Sequence, residues 1–487
     1  LCNTRRGSRS DSSLDALARW SHLICFVDFG ATVANLLPED RLERGLGLSE
    51  AVALNMNAMV GIGPFIVIPL VIQQMGGPQC LLAWVAGAVL SLLDGQVWAE
   101  LGAAMPRAGG TYAFLREAYG PGRGGRLMSF LYIWQTLIQA PLVIASGAIG
   151  FAQYSTYLVP IGVYGQKAVS AVLVSLLMIL LYRRITTVGL ISKLLWIGVV
   201  GTIVWLIWGG FTHFSPRMAF DFPPGAWSWS WVFFAGLGSA TVDTIYTYLG
   251  YYHICNLGAE VRQPERNIPR GILYSILGIA VLYLAMQTSI LGVIPWREAQ
   301  HSQYIVSTFV ERIYGTRLAT YATIMILWIA FASLFTALLS YSRVPFAAAE
   351  DGNFFSVFAR VHPTKHFPHV SLVFLGVMSL LFSVLFRLET VIRAILAMRL
   401  LVQFVGQATG VMLLRRRWPP ERLPFKMWFY PLPAVITIFG WLALFVSTGW
   451  KFVTGGIVVI SLGVVTYMIQ ARYRRLWPFE AAGEAGQ

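Results

Sequence analysis

Asn57-Ala-Met-Val-Gly-Ile-Gly-Pro-Phe-Ile-Val-Ile-Pro69 is apolar enough to lie in a bilayer, yet it places Gly61, Gly63 and Pro64 where a spanning helix should be continuous. Proline has no N–H and its ring clashes with the preceding turn. A helix that breaks in hydrocarbon exposes backbone N–H and C=O groups, each costing several kcal/mol unless something else binds it. Non-helical backbone at that depth is tolerated where it is buried in protein or lines a cavity. The stretch therefore predicts two half-helices meeting at a polar point inside the membrane.

The composition around it agrees. The chain is 56% hydrophobic, 14% aromatic and 12% charged, whereas a soluble domain carries about 25% charged residues. Its 487 residues accommodate roughly a dozen spans of about 20 residues each. A net charge of +14 would suit nucleic acid if it lay on one soluble face. Here the Lys and Arg residues sit between apolar runs, so nucleic acid is not an expected partner. Cys2, Cys25, Cys80 and Cys255 are scattered and show neither metal spacing nor a disulfide framework. The first 20 residues, polar and rich in Arg and Ser, read as a mobile segment rather than a cleavable signal peptide. Trp20–Leu37, with Asp28 in it, reads as an amphipathic surface helix.

Twelve spans are predicted, at about 52–74, 80–103, 127–152, 166–183, 189–211, 229–254, 270–294, 317–342, 369–387, 390–414, 429–447 and 451–471. The N-terminal segment is then 1–50, the membrane domain 51–471 and the tail 472–487. With the N-terminus in the cytoplasm, the inner loops and tail hold roughly twenty Lys and Arg, from Arg107 and Arg116 to Arg415–Arg417 and Arg472. The outer side holds roughly seven. The bias puts both termini on the cytoplasmic side of the cell membrane.

A second interruption lies five spans after the first, in Val242-Asp-Thr-Ile-Tyr-Thr-Tyr-Leu-Gly-Tyr-Tyr-His-Ile-Cys255. Breaks at matching places in two five-span units are the mark of an inverted repeat, which would pair spans 1–5 with spans 6–10 (about 52–211 with about 229–414) and leave the last two outside. In secondary transporters such paired breaks hold the substrate. The competing reading is that these Gly and Pro residues only permit close packing or a kink. Two breaks in corresponding halves favour a site over that reading.

Five ordered segments carry a resemblance to a known family. Met59-Val-Gly-Ile-Gly-Pro-Phe65 with Pro69 is similar to the first-helix motif of the amino acid–polyamine–organocation (APC) permeases. Ala99-Glu-Leu-Gly-Ala-Ala-Met-Pro-Arg-Ala-Gly-Gly-Thr-Tyr112 resembles the loop after their second helix, and Tyr246-Thr-Tyr-Leu-Gly-Tyr251 their sixth. Glu260-Val-Arg-Gln-Pro-Glu-Arg-Asn-Ile-Pro-Arg270 and Ser342-Arg-Val-Pro-Phe-Ala-Ala-Ala-Glu-Asp-Gly352 resemble the loops after the sixth and eighth. The Gly-x-Gly-Pro-Phe variant and Phe425-Lys-Met-Trp-Phe-Tyr-Pro431 lean toward the branch of L-type amino acid and plant-like polyamine permeases. The resemblance implies an all-α membrane protein of twelve helices with the LeuT-like 5+5 fold, working by alternating access. It implies a substrate held between helices 1 and 6, with no cofactor.

An α-amino acid suits the two breaks. The N–H groups of Ile62, Gly63 and Phe65, beside a helix that starts near Pro64, form an anion site for a carboxylate. Carbonyls around Tyr246, Thr247 and Tyr248 would accept from the ammonium, and Phe65, Tyr248 and Tyr251 would wall the side-chain pocket, with Gly61 and Gly250 letting the chain turn. The family's usual Ser is Ile62 here, which leaves that recognition to the backbone.

Asp94, Asp243, Lys193 and His253 are pathway or coupling candidates, since ionisable groups at membrane depth are costly. The bland alternative for both carboxyls is a hydrogen-bonded packing role. Lys193 falls about two turns too early for the place where some proton-coupled relatives carry a lysine, and is expected to snorkel toward Arg183 and Arg184. Arg399 must pair with something the sequence does not name. Glu100 and Glu260 are expected to form ion pairs with loop arginines. No metal is expected, and Gly120–Gly125 lacks the Gly-Lys-Ser/Thr of a phosphate loop.

The sequence thus predicts an amino acid permease, with proton coupling, sodium coupling and exchange left open and no partner subunit evident. A polyamine carrier is the rival, and it would need more pocket carboxylates than Asp94 and Asp243. A channel, a receptor or an intramembrane enzyme is less well supported, the last for want of a nucleophile–base or metal constellation.

Overall fold

The computed structural model describes residues 42–302, 304–385, 398–474 and 477–479. The N-terminal reading at Trp20–Leu37, Cys2 and Cys25, and the first part of the tenth span lie outside the described residues. The described chain is helical throughout, with two isolated β-bridges (Leu46 with Val261, Ala108 with Leu257) and no strand among the described residues.

Among the described residues, seven helices are long and apolar enough to cross a membrane: Pro78–Ala104, Gly125–Ser155, Val163–Leu181, Ile185–Thr212, Pro264–Leu291, Thr316–Glu350 and Trp450–Tyr473. An eighth crossing is a bent pair, Leu48–Met59 and Gly63–Met75, whose axes differ by 50°. His369–Leu385 and Leu432–Ser447 are shorter apolar helices. The sixth predicted span is Trp231–Tyr248 followed, after an irregular Leu249–Tyr252, by a single turn at His253–Asn256.

Exposed apolar stripes identify the solvent of this fold. On Ile185–Thr212 the residues Leu190, Leu194, Ile197, Val204, Trp208 and Phe211 are all exposed. Their steps of three, four and seven keep them on one helix face. A water-soluble monomer rarely presents such a face, and a lipid-facing helix does.

Local chemistry sets the ends of the elements that matter. Pro64 occupies the first turn of Gly63–Met75, where no N–H is needed, and Gly76 closes that helix in the left-handed region at φ 70°. Ser230 caps Trp231–Tyr248 by accepting from Phe233 N at 3.3 Å.

Candidate functional site

A cavity of about 790 Å³ lies at the two helix breaks. Gly61, Ile62, Gly63 and Pro64 line it from the first break, and Tyr246, Thr247, Leu249, Tyr252 and His253 from the second. Gly63–Met75 begins at the cavity, so the N–H groups of its first turn, with no carbonyl one turn earlier to bind, converge there. They and the positive helix end make an anion-binding point.

Close approach of the two breaks needs glycine. Gly250 has φ 133°, and a Cβ on it would stand 2.8 Å from both Ala58 C and Met59 N. A Cβ on Gly63 would stand 3.3 Å from the Tyr246 ring. Two side chains then tie the broken ends together. Tyr283 places its hydroxyl 3.0 Å from Met59 O and 3.3 Å from Thr247 O, one carbonyl from the helix end before each break. Asn55 Oδ1 accepts from Ile254 N at 3.1 Å. Neither residue is marked in the sequence, because each acts from a distant position on groups that only the fold exposes.

Several expected roles are corrected. The second break begins at Leu249 rather than at Tyr246. Tyr246 O accepts from Leu249 N, and Thr247 O is held by Tyr283, so the carbonyls outside the helical ladder come later in the chain than expected. Phe65, Tyr248 and Tyr251 do not line the cavity; all three are buried elsewhere. Tyr248 packs edge-on against Trp84 and Tyr283, and its hydroxyl bonds Trp84 O at 3.3 Å. A helix that stays regular through Tyr248 turns that ring toward its neighbours in the core. Tyr252 and Tyr341 wall the cavity instead.

The ionisable candidates separate. Asp243 lines the cavity and accepts from Gln74 Nε2 at 2.7 Å, linking Gly63–Met75 to Trp231–Tyr248. His253 lines it too, stacked on Tyr252 and edge-on to Tyr341. Lys193 does not line it. Its ammonium pairs with Glu50 at 2.7 Å rather than reaching toward Arg183 and Arg184, because the start of Leu48–Met59 packs on Ile185–Thr212 at that level. The expected ion pairs of the loop carboxylates are present. Glu260 is paired with Arg343 at 2.7 Å and Glu100 with Arg415 at 2.6 Å, while Met427 N also donates to Glu100.

Asp94 is buried away from the cavity and accepts three bonds, from Trp98 Nε1 at 2.8 Å, Tyr251 OH at 2.5 Å and Trp441 Nε1 at 3.0 Å. It therefore holds Tyr251, the residue next to Gly250, against two other helices. Asp94→Asn replaces one acceptor oxygen by an NH₂ that faces a donor. We expect a loss of about 1–3 kcal/mol, read as a lower melting temperature in detergent, together with slower uptake. A proton-carrying Asp94 would give a different result: unchanged melting, lost gradient-driven uptake and intact exchange.

A family model for amino acid permeases matches residues 46–469. The chain belongs to the amino acid permease family. The branched-chain amino acid permease BcaP of Bacillus subtilis (strain 168) is 23% identical over 452 residues, covering 89% of this chain and 94% of that protein. The serine/threonine exchanger SteT of the same organism is 25% identical, covering 82% and 90%. Its aspartate-proton symporter is 23% identical, covering 92% and 87%. The protein is thus an APC-family transporter of amino acids and not an enzyme, as the ordered motifs predict. Among the described residues no group of three His, Cys, Asp or Glu side chains could hold a metal.

Proposed function

We propose that the permease carries its amino acid by alternating access in a twelve-helix, 5+5 inverted-repeat fold. The carrying observation is the joint lining of one cavity by both helix breaks. The substrate carboxylate binds the first-turn N–H groups of Gly63–Met75, and the ammonium binds carbonyls of the Leu249–Tyr252 break.

The packing of the helices supports the repeat. Let each predicted span exchange with the one five places away. Then the contact of Leu48–Met59 with Pro264–Leu291 maps onto that of Trp231–Tyr248 with Leu81–Ala104, and both occur. The contact of Gly125–Ser155 with His369–Leu385 maps onto that of Val163–Leu181 with Thr316–Tyr341, and both occur. Pairs that map onto themselves are also in contact, including Leu81–Ala104 with Pro264–Leu291 and Val163–Leu181 with His369–Leu385.

The cavity extends along Ile66, Leu70 and Gln74 on one side of the breaks. On the other side the chain is fastened. Leu46 bridges Val261, Gly45 N and Leu46 N donate to Glu260 O, and Asn256 Nδ2 donates to Ser340 Oγ. With both termini cytoplasmic, this is a conformation whose site reaches outward and whose inner side is closed. The membrane domain then runs over 51–471, between cytoplasmic segments at 1–50 and 472–487, in the cell membrane.

The relatives include an exchanger and a proton symporter, so proton coupling and exchange are the two modes to separate, with sodium as control. Purified permease in liposomes should accumulate a labelled amino acid under an imposed pH gradient, or only against internal amino acid. Absence of any amino acid flux, with putrescine carried instead, would overturn the reading in favour of a polyamine carrier.

A further inference from the structure

Resting on that reading of the cavity, one side chain in it has no role yet. Arg399 lines the cavity and is 4% exposed. Its guanidinium donates to Tyr252 OH and, at 3.2 Å, to Gln403 Oε1. It lies 5.3 Å from the Tyr252 ring centroid and 5.8 Å from that of Phe404. No carboxylate pairs with it among the described residues, whereas the buried Arg343 and the largely buried Arg415 each hold a glutamate. Asp243, a charged residue that lines the cavity among the described residues, accepts from Gln74 Nε2 at 2.7 Å.

A guanidinium buried at membrane depth is costly unless an anion meets it. A phenol, an amide and two aromatic faces offset part of that cost and leave the charge in place. Arginine cannot shed its proton to escape. Its planar fork suits a carboxylate. The α-carboxylate already has a binding point in the first turn of Gly63–Met75, which leaves Arg399 for a second anionic group. Beside it, His253 Nδ1 has no hydrogen-bond partner among the described residues, so a further polar group faces the same region.

We propose that Arg399 binds a side-chain carboxylate, so that the transported substrates are acidic amino acids of the aspartate and glutamate class. Tyr252, which takes its bond from Arg399 and sits within the second break, orients the guanidinium. The ring of Tyr252 in turn stacks on Trp98 with centroids 4.7 Å apart, which fixes it against a third helix.

The test is uptake and counterflow in liposomes containing full-length permease, with labelled glutamate, aspartate, glutamine, asparagine and leucine. The original protein should prefer glutamate over its neutral isostere glutamine. Arg399→Gln should lower kcat/KM for glutamate and aspartate by about 10²-fold, as expected for removing one partner of a buried charge pair. Its kcat/KM for glutamine and leucine should fall by much less, so that the preference for glutamate over glutamine is lost. Arg399→Lys should recover part of the acidic uptake. Melting temperatures and monodispersity of both variants establish that they fold. Should Arg399→Gln be misfolded, competition of acidic against neutral amino acids in the original protein decides the question alone. Neutral transport with no competition by glutamate, or equal loss for acidic and neutral substrates in Arg399→Gln, would overturn the proposal and leave the amino acid site standing. No flux or binding of any amino acid would overturn the site itself.

Discussion

Gly250→Ala should severely impair transport. The position has φ 133°, a region that L side chains rarely adopt, at a cost of order 1–3 kcal/mol. Its new Cβ would also lie 2.8 Å from Ala58 C and Met59 N, which are backbone atoms that cannot rotate aside. Relief requires the two breaks to separate, and with them the Tyr283 hydroxyl would lose one of its two carbonyls. Amino acid uptake should fall at least tenfold, with a melting temperature several degrees lower. Gly238→Ala is the control: it lies in the same sixth span, and nothing stands within 4 Å of its Cβ position. Ala58→Gly should not rescue Gly250→Ala, because the Ala58 side chain is only the third contact, at 3.0 Å. Unchanged uptake in Gly250→Ala would mean that the close crossing of the two breaks is not needed for transport.

Much of the fold was legible because it rests on local rules. Gly61, Gly63 and Pro64 interrupt an apolar run, and the bend falls among them. Apolar runs of sufficient length gave the helices and turn residues gave their ends. The site was legible in its backbone and less so in its side chains. Whether Tyr246, Tyr248, Tyr251 or Tyr252 faces the cavity depends on where the second helix stops, and a shift of one or two residues rotates each ring by about 100–200°. The sequence offers Gly250 as the marker, yet Leu249 already leaves the helix. Arg399 was visible as an anomaly, but its surroundings come from elements far apart in the chain, Tyr252 at the second break and Phe404 beyond the arginine itself. Asp94 shows the same limit. Its three donors come from its own helix, from the second break and from Leu432–Ser447, and no sequence pattern links those.

The closed side of the permease should depend on one buried ion pair to a degree that a double-mutant cycle can measure. Glu260 takes a two-pronged bond from Arg343, Nη2 to Oε1 at 2.7 Å and Nε to Oε2 at 2.9 Å, and both side chains are almost fully buried. Arg343 is also bound to Ser342 Oγ at 2.8 Å, while the main-chain oxygen of Glu260 holds Gly45 N and Leu46 N. The pair therefore fastens three things at once: the residues that lead into Leu48–Met59, the turn before Pro264–Leu291, and the junction between Thr316–Tyr341 and Arg343–Glu350. Glu260→Gln leaves a guanidinium buried without its counter-charge, and Arg343→Met leaves a carboxylate in the same position. Each should destabilise by about 3–5 kcal/mol, the usual effect of removing one partner of a buried pair. The double variant buries no unpaired charge from this pair, so its loss should be well below the sum of the two, with a coupling of about 1–3 kcal/mol read from denaturation in detergent. Additive losses would show that the pair is incidental to the closed side. The double variant also separates stability from gating: if it melts no lower than either single variant yet transports more slowly than both, the charge pair itself, rather than the packing around it, sets the balance between the two faces of the carrier.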